Sequence, residues 1–217
     1  MEETRLKRII LVGDSIRMRY EGIVHSELEG VAEVWGPAEN GEDSEKVLRH
    51  LDKWILSRNP DVVHINCGLH DLRRPVGSDR PSVPIENYRE NVRTILERIQ
   101  QNTLGLIVWA TTTPVNELWH KQRKGFERWE GDVLLYNRVS VEVARSLQVE
   151  IDDLYSVVTE AGRDLYLNED GVHFTPAGSH LLGKAVARCL RTHLEKLDLS
   201  PKGSESSTSV VQSSHQT

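Results

Sequence analysis

Ile9-Ile10-Leu11-Val12-Gly13-Asp14-Ser15 is a short apolar run that stops at a glycine, an acid and a hydroxyl. Consecutive apolar residues ended by turn-forming ones predict a buried strand, a tight turn, and a serine where the next helix begins. That junction lifts a hydroxyl out of the sheet edge, beside helix-start N–H groups that can also hold an oxyanion. Taken alone, Ser15 fits a nucleophile and a helix cap equally well, because Asp and Ser are common N-caps.

The same pattern recurs downstream. Val62-Val63-His64-Ile65-Asn66-Cys67 predicts a strand running straight into Gly68-Leu69-His70-Asp71. Between the two, Arg17 to Leu28 predicts a helix weakened by Gly22, and Val31 to Trp35 a short strand ended by Gly36-Pro37. After a loop through Asn40-Gly41, the positions Val47, Leu48, Leu51, Trp54 and Ile55 fall on one helical face, with Glu42 and Asp43 at its start. Arg73 to Pro84 holds Pro75, Gly77, Pro81 and Pro84, which predicts no regular structure. Tyr88, Val92, Ile95, Leu96 and Ile99 mark an amphipathic helix, and Leu106 to Ala110 a buried strand closed by Thr111-Thr112-Thr113-Pro114.

Val115 to Glu130 is charged and carries Trp119, Phe126 and Trp129; it fits a loop over a site or a solvated helix, and the helix is the preferred expectation. A helix from about Asp132 to Leu147, a strand around Val149 to Ile151 and a polar loop lead to Asp170-Gly171-Val172-His173. The last helix follows Pro176, with Leu181, Leu182, Ala185, Val186, Cys189 and Leu190 on one face. Past Leu199 the chain turns to Ser, Thr, Gln and Gly, so we expect a domain over residues 1–198 and a disordered tail over 199–217, most clearly from Ser204 to Thr217.

Strands alternating with helices imply an α/β domain with a mainly parallel sheet covered on both faces. Such sheets bind ligands beyond the carboxyl ends of their strands, so the Gly13 and Gly68 turns can share one crevice. Of the 217 residues, 38% are hydrophobic and 28% charged, ordinary for a globular protein. A net charge of -6, with Lys121 to Arg128 the one densely basic window, argues against nucleic acid as a partner. The two cysteines, Cys67 and Cys189, match no metal-ligand spacing or disulfide framework. The apolar run before Gly13 is too short for a signal peptide or a membrane span, so a cytoplasmic protein with no membrane partner is expected.

Acyl transfer by a serine needs a base within reach, a group to orient it, and donors aimed at the developing oxyanion. His173 is the candidate base, Asp170 the orienting acid, and Gly41 and His70 the candidate donors. From Ile9 to about Leu190 the chain resembles the SGNH hydrolases, also called the GDSL esterase/lipase family. Gly13-Asp14-Ser15 matches the nucleophile block, Asn40-Gly41 falls where the family has its oxyanion glycine, Gly68-Leu69-His70-Asp71 matches the third block and Asp170-Gly171-Val172-His173 the last.

The resemblance implies a three-layer α/β/α sandwich with a mainly parallel five-stranded sheet in flavodoxin-like order. It also implies attack by Ser15 on an acyl carbonyl, proton transfer to His173, orientation by Asp170, oxyanion stabilisation by the N–H groups of Ser15 and Gly41, and no metal or organic cofactor. The third block departs from the usual Gly-x-Asn-Asp. His70 stands where an Asn side chain is the third donor, a role a neutral imidazole can fill.

Asp14 and Asp71 read as loop-fixing acceptors, with Asn40, Asn66 and Gly68 in support of the loops or the substrate; His64 reads as packed, Cys67 as a small buried hydrophobe. Tyr20, Trp119 and Trp129 are candidate faces for a sugar. The expectation is a serine esterase acting on a small acyl ester, an acetylated carbohydrate by family analogy. The alternatives are a non-catalytic binding protein on the same fold, a lipase or lysophospholipase, and a metal-dependent phosphoesterase built from Asp14, His70, Asp71, Asp170 and His173. Nothing in the sequence fixes the oligomeric state.

Overall fold

The computed structural model describes residues 5–199. Of the tail expected over 199–217, Leu199 ends the last helix and residues 200–217 lie outside the described residues. Strand β1 (Lys7–Val12) leads into α1 (Ser15–Glu27), β2 (Ala32–Trp35), α2 (Ser44–Trp54) and β3 (Val62–Ile65). Then come β4 (Arg74–Pro75), α3 (Ile85–Asn102), β5 (Leu106–Ala110), α4 (Glu117–Arg123), β6 (Phe126–Glu127), α5 (Glu130–Ser146), β7 (Glu150–Asp152), α6 (Leu154–Ala161), α7 (Arg163–Tyr166) and α8 (Pro176–Leu199).

Five strands form one sheet in the order β2-β1-β3-β5-β7, and each neighbouring pair is parallel. Ile9 lies opposite both Val34 and Val62, and Val62 opposite Leu106, which brings the apolar runs into one register. Ile9 to Val12, Val62 to Ile65 and Ile107 to Ala110 are all buried, as the absence of polar alternation in these strands requires of a sheet covered on both faces. Helices α1, α6 and α8 pack together, and α2, α3 and α5 form a second group. Because every strand of this sheet points the same way, the turns after β1, β3, β5 and β7 emerge at one edge.

Four stretches differ from the sequence expectation. Strand β3 ends at Ile65, two residues short of the expected Cys67: Asn66 N–H still donates to Val12 O at 3.0 Å, but the Cys67 carbonyl accepts from Tyr88 Oη at 2.9 Å and Thr112 Oγ1 at 3.3 Å. The Arg73–Pro84 region contains β4, paired antiparallel with β6, an edge position where proline is tolerated. Residues 115–130 are not a solvated helix: α4 is short, and His120, Glu127 and Arg128 are buried. The polar loop expected before Asp170 contains α6 and α7, where Asp153 caps Ser156 N–H and Leu154 and Val158 face the core.

Candidate active site

The hydroxyl of Ser15 is positioned by its neighbours. Asp14 is the N-cap of α1 and accepts from Ile16 N–H at 2.9 Å, so Ser15 is the first helical residue. The other half of the site is the turn 170–173, where the Asp170 carboxylate accepts from the backbone N–H groups of Val172 at 3.1 Å and His173 at 2.9 Å. Asn168 clasps the far side, its N–H donating to His173 O at 2.7 Å and its amide to Phe174 O at 3.0 Å.

These supports place Ser15 Oγ 2.9 Å from His173 Nε2, with His173 Nδ1 2.6 Å from Asp170 Oδ2. Burial alone would raise the Asp170 carboxyl, but the His173 side chain and the two backbone N–H groups outweigh it and hold the pKa at about 2. The carboxylate is therefore ionised at neutral pH and accepts a hydrogen bond from Nδ1–H, the tautomer that leaves Nε2 as an acceptor for the serine O–H. His173 and Asp170 side chains are 24% and 21% exposed, open enough for a substrate to reach.

The loops carrying the remaining candidates are tied to this pair. Gly41 lies so close to β1 that its N–H donates to Gly13 O at 3.0 Å, and a Cβ there would meet the same oxygen at 2.6 Å. The candidate oxyanion N–H of Gly41 is thus engaged. Asn40 Oδ1 accepts from Glu42 N–H at 2.9 Å and shapes this turn. Buried Arg17 holds the loop from the helix side, bonding Pro37 O at 2.8 Å and Glu39 O at 3.1 Å while paired with Glu21.

After β3, Asn66 donates to Ala110 O at 2.7 Å, locking the ends of two strands together. Gly68 has φ of +151°, and a side chain there would collide with Thr112 Oγ1. Asp71 accepts from Ser44 N–H at 2.9 Å and Ser44 Oγ at 2.5 Å, joining the start of α2 to the His70 turn; burial pushes its carboxyl up to about 7. The His70 imidazole is pulled below its ordinary range, first by burial and then by Arg128 and Arg73, against the opposing fields of Asp14 and Glu42. A neutral ring carries one N–H donor.

Several residues without a sequence signal also reach the site. His120, buried in α4, has Nδ1 3.1 Å from Asp170 O. Lys124 Nζ is 3.7 Å from Asp170 Oδ2, and Arg128 Nε donates to Leu69 O at 2.6 Å, next to His70. Of the proposed sugar-facing aromatics, Tyr20 is 2% exposed and belongs to the core, whereas Trp129 is 39% exposed beside a cleft of about 410 Å³. His64 is buried, with Nε2 2.9 Å from Asp152 Oδ2. Burial raises the Cys67 thiol well above its usual range. Among the described residues no three His, Cys, Asp or Glu side chains are grouped to hold a metal, and no helix is long and apolar enough to cross a membrane.

Residues 18–181 match the model of the GDSL-like lipase/acylhydrolase family, a span that begins just after Ser15 and includes Asp170 and His173. A GDSL esterase/lipase of Arabidopsis thaliana is 31% identical over 159 residues, covering 67% of this chain and 65% of that protein. The chain spans 49% and 53% of two further curated relatives. Among solved structures, a lipase/acylhydrolase from Enterococcus faecalis has a TM-score of 0.73 at 23% identity, over 87% of this chain and 97% of that one. An acetylxylan esterase from Geobacillus stearothermophilus has a TM-score of 0.69 at 18% identity, over 87% and 95%. At these identities the structural likeness speaks for the fold.

Proposed function

The chain belongs to the GDSL-like lipase/acylhydrolase family, and on that premise we propose that it is a serine esterase acting on a small O-acyl ester, an acetylated carbohydrate being the favoured substrate. The observation that carries the proposal is the hydrogen-bonded series from Ser15 Oγ through His173 to Asp170, at 2.9 and 2.6 Å. As Oγ attacks the carbonyl, His173 Nε2 takes its proton, and the ionised Asp170 stabilises the imidazolium and keeps the ring oriented. His173 then protonates the departing alcohol. In the second half, the same nitrogen takes a proton from the water that attacks the acyl-serine.

The developing oxyanion lies against the free N–H groups expected at the start of α1 and the N–H of a neutral His70. The N–H of Gly41 would join them on release from Gly13 O, to which it donates at 3.0 Å. This chemistry needs neither metal nor organic cofactor. A sugar is supported by the exposed Trp129 ring and by the similarity to an acetylxylan esterase.

Hydrolysis of p-nitrophenyl acetate tests the proposal. Ser15→Ala and His173→Ala should each lower kcat on the order of 10⁶-fold, and Asp170→Ala on the order of 10⁴-fold, with p-nitrophenyl octanoate turned over more slowly than the acetate. A Ser15→Ala protein that keeps its rate and loses it to EDTA would point to a metal-dependent reaction instead.

A further inference from the structure

Two arginines are buried among the described residues, and they are treated differently. Arg17 is paired with Glu21 and two carbonyls, as the cost of burying a charge requires. Arg128 is 5% exposed, yet its guanidinium bonds one carbonyl through Nε, and among the described residues no carboxylate lies within ion-pair distance of it.

A second cation aggravates the imbalance. The guanidinium of Arg128 sits 4.9 Å from the Phe126 ring centroid and that of Arg73 5.2 Å from the same centroid. Arg73 likewise has no carboxylate partner among the described residues. Burial first, and then the like charge of Arg73, draws the Arg128 pKa down to about 10. An acidic ligand would relieve both, because a guanidinium with free terminal N–H groups presents a fork that fits a carboxylate or a phosphate.

The location ties this cation to the reacting groups. Leu69 O, its hydrogen-bond acceptor, belongs to the residue before His70, and the acids whose fields reach it are Asp14 and Asp170. Arg128 also lines the cleft of about 410 Å³ together with Leu118, Trp129 and two acids that are already engaged. Glu127 lies 3.4 Å from Lys121 Nζ, and Glu117 accepts from Glu130 N–H at 3.1 Å. We propose that Arg128, with Arg73 beside it, anchors an anionic group, a carboxylate or a phosphate, on the alcohol part of the ester cleaved at Ser15. This specificity site rests on the esterase reading and narrows its substrates to acyl esters of acidic molecules.

Matched acetyl esters test it: 4-acetoxybenzoate and 4-acetoxyphenyl phosphate against neutral 4-acetoxybenzamide, each kcat/KM divided by the ester's own rate with hydroxide. The wild-type protein should prefer at least one anionic ester by tenfold or more, and the better of the two identifies the anion. Arg128→Gln should bring the ratio close to one, chiefly through KM. Arg73→Gln, a change at an exposed side chain, should lower it in part and reports on the site even where Arg128→Gln does not fold. No anionic preference in the wild type, or a preference that survives both substitutions, overturns the proposal. If the wild type cleaves none of the three, the esterase reading fails separately, and calorimetry on Ser15→Ala decides the anchor. Tighter binding of 4-hydroxybenzoate than of 4-hydroxybenzamide, lost in Arg73→Gln, supports it; equal binding refutes it.

Discussion

An imidazole at position 70 can do the work of the amide it replaces through the single N–H of its neutral form, and its surroundings favour that state. Burial acts first, with Arg128 and Arg73 adding to it. If His70 donates to the oxyanion, His70→Ala should lower kcat for an acetyl ester by about 10²- to 10³-fold, whereas His70→Asn should hold or raise it. Equal kcat in the alanine variant and the wild type would remove His70 from the chemistry. Residues of this kind were legible in the sequence where the motif itself supplies the geometry: Asp170 and His173 share one turn, and Asp14 caps the helix that Ser15 begins. His120 and Arg128 were not. Their partners Asp170 and Leu69 are 50 and 59 positions away, and the basic window that includes Arg128 reads equally as solvated charge until the fold buries it.

Among elements, the start of α2 and the turn after β3 are held together by Asp71, whose carboxyl is raised to about 7 by burial despite its bonds from Ser44. A folded-state pKa above the unfolded value of about 3.9 means a contribution to stability that is complete below the unfolded value and lost as pH rises through about 7. Urea unfolding at pH 5 and pH 7.5 should therefore show the wild type losing stability relative to Asp71→Asn, by up to about 1.4 kcal/mol per pH unit. Parallel curves for the two proteins would contradict this. Strands β1, β3 and β5 and helices α2, α3 and α8 could be read from apolar runs and helical spacing, and β2 from a mixed pattern ended by Gly36-Pro37. The pieces that escaped, β4, β6, α6 and α7, are two to eight residues long. Elements so short take their shape from partners such as Asp153 or a neighbouring strand rather than from their own periodicity.

At the scale of the whole molecule, an all-parallel sheet delivers separate turns to one edge, and two packed helices close the remaining distance. Ser15 opens α1, while Pro176, close after His173, opens α8, and these two helices pack against each other. At Gly183 of α8 a Cβ would strike Ile23 of α1 at 2.7 Å, which shows how close they run. A separation of 158 residues is thereby reduced to a hydrogen bond. The order of the motifs announced that convergence, but the strand order and the helix contact that produce it depend on tertiary packing that no local pattern records. Covalent labelling with a fluorophosphonate, followed by peptide mass spectrometry, tests it most directly. The account predicts one adduct, on Ser15, formed by the wild type and lost in a folded His173→Ala protein. Labelling of Ser15 at an unchanged rate in His173→Ala, or none in the wild type, would contradict it.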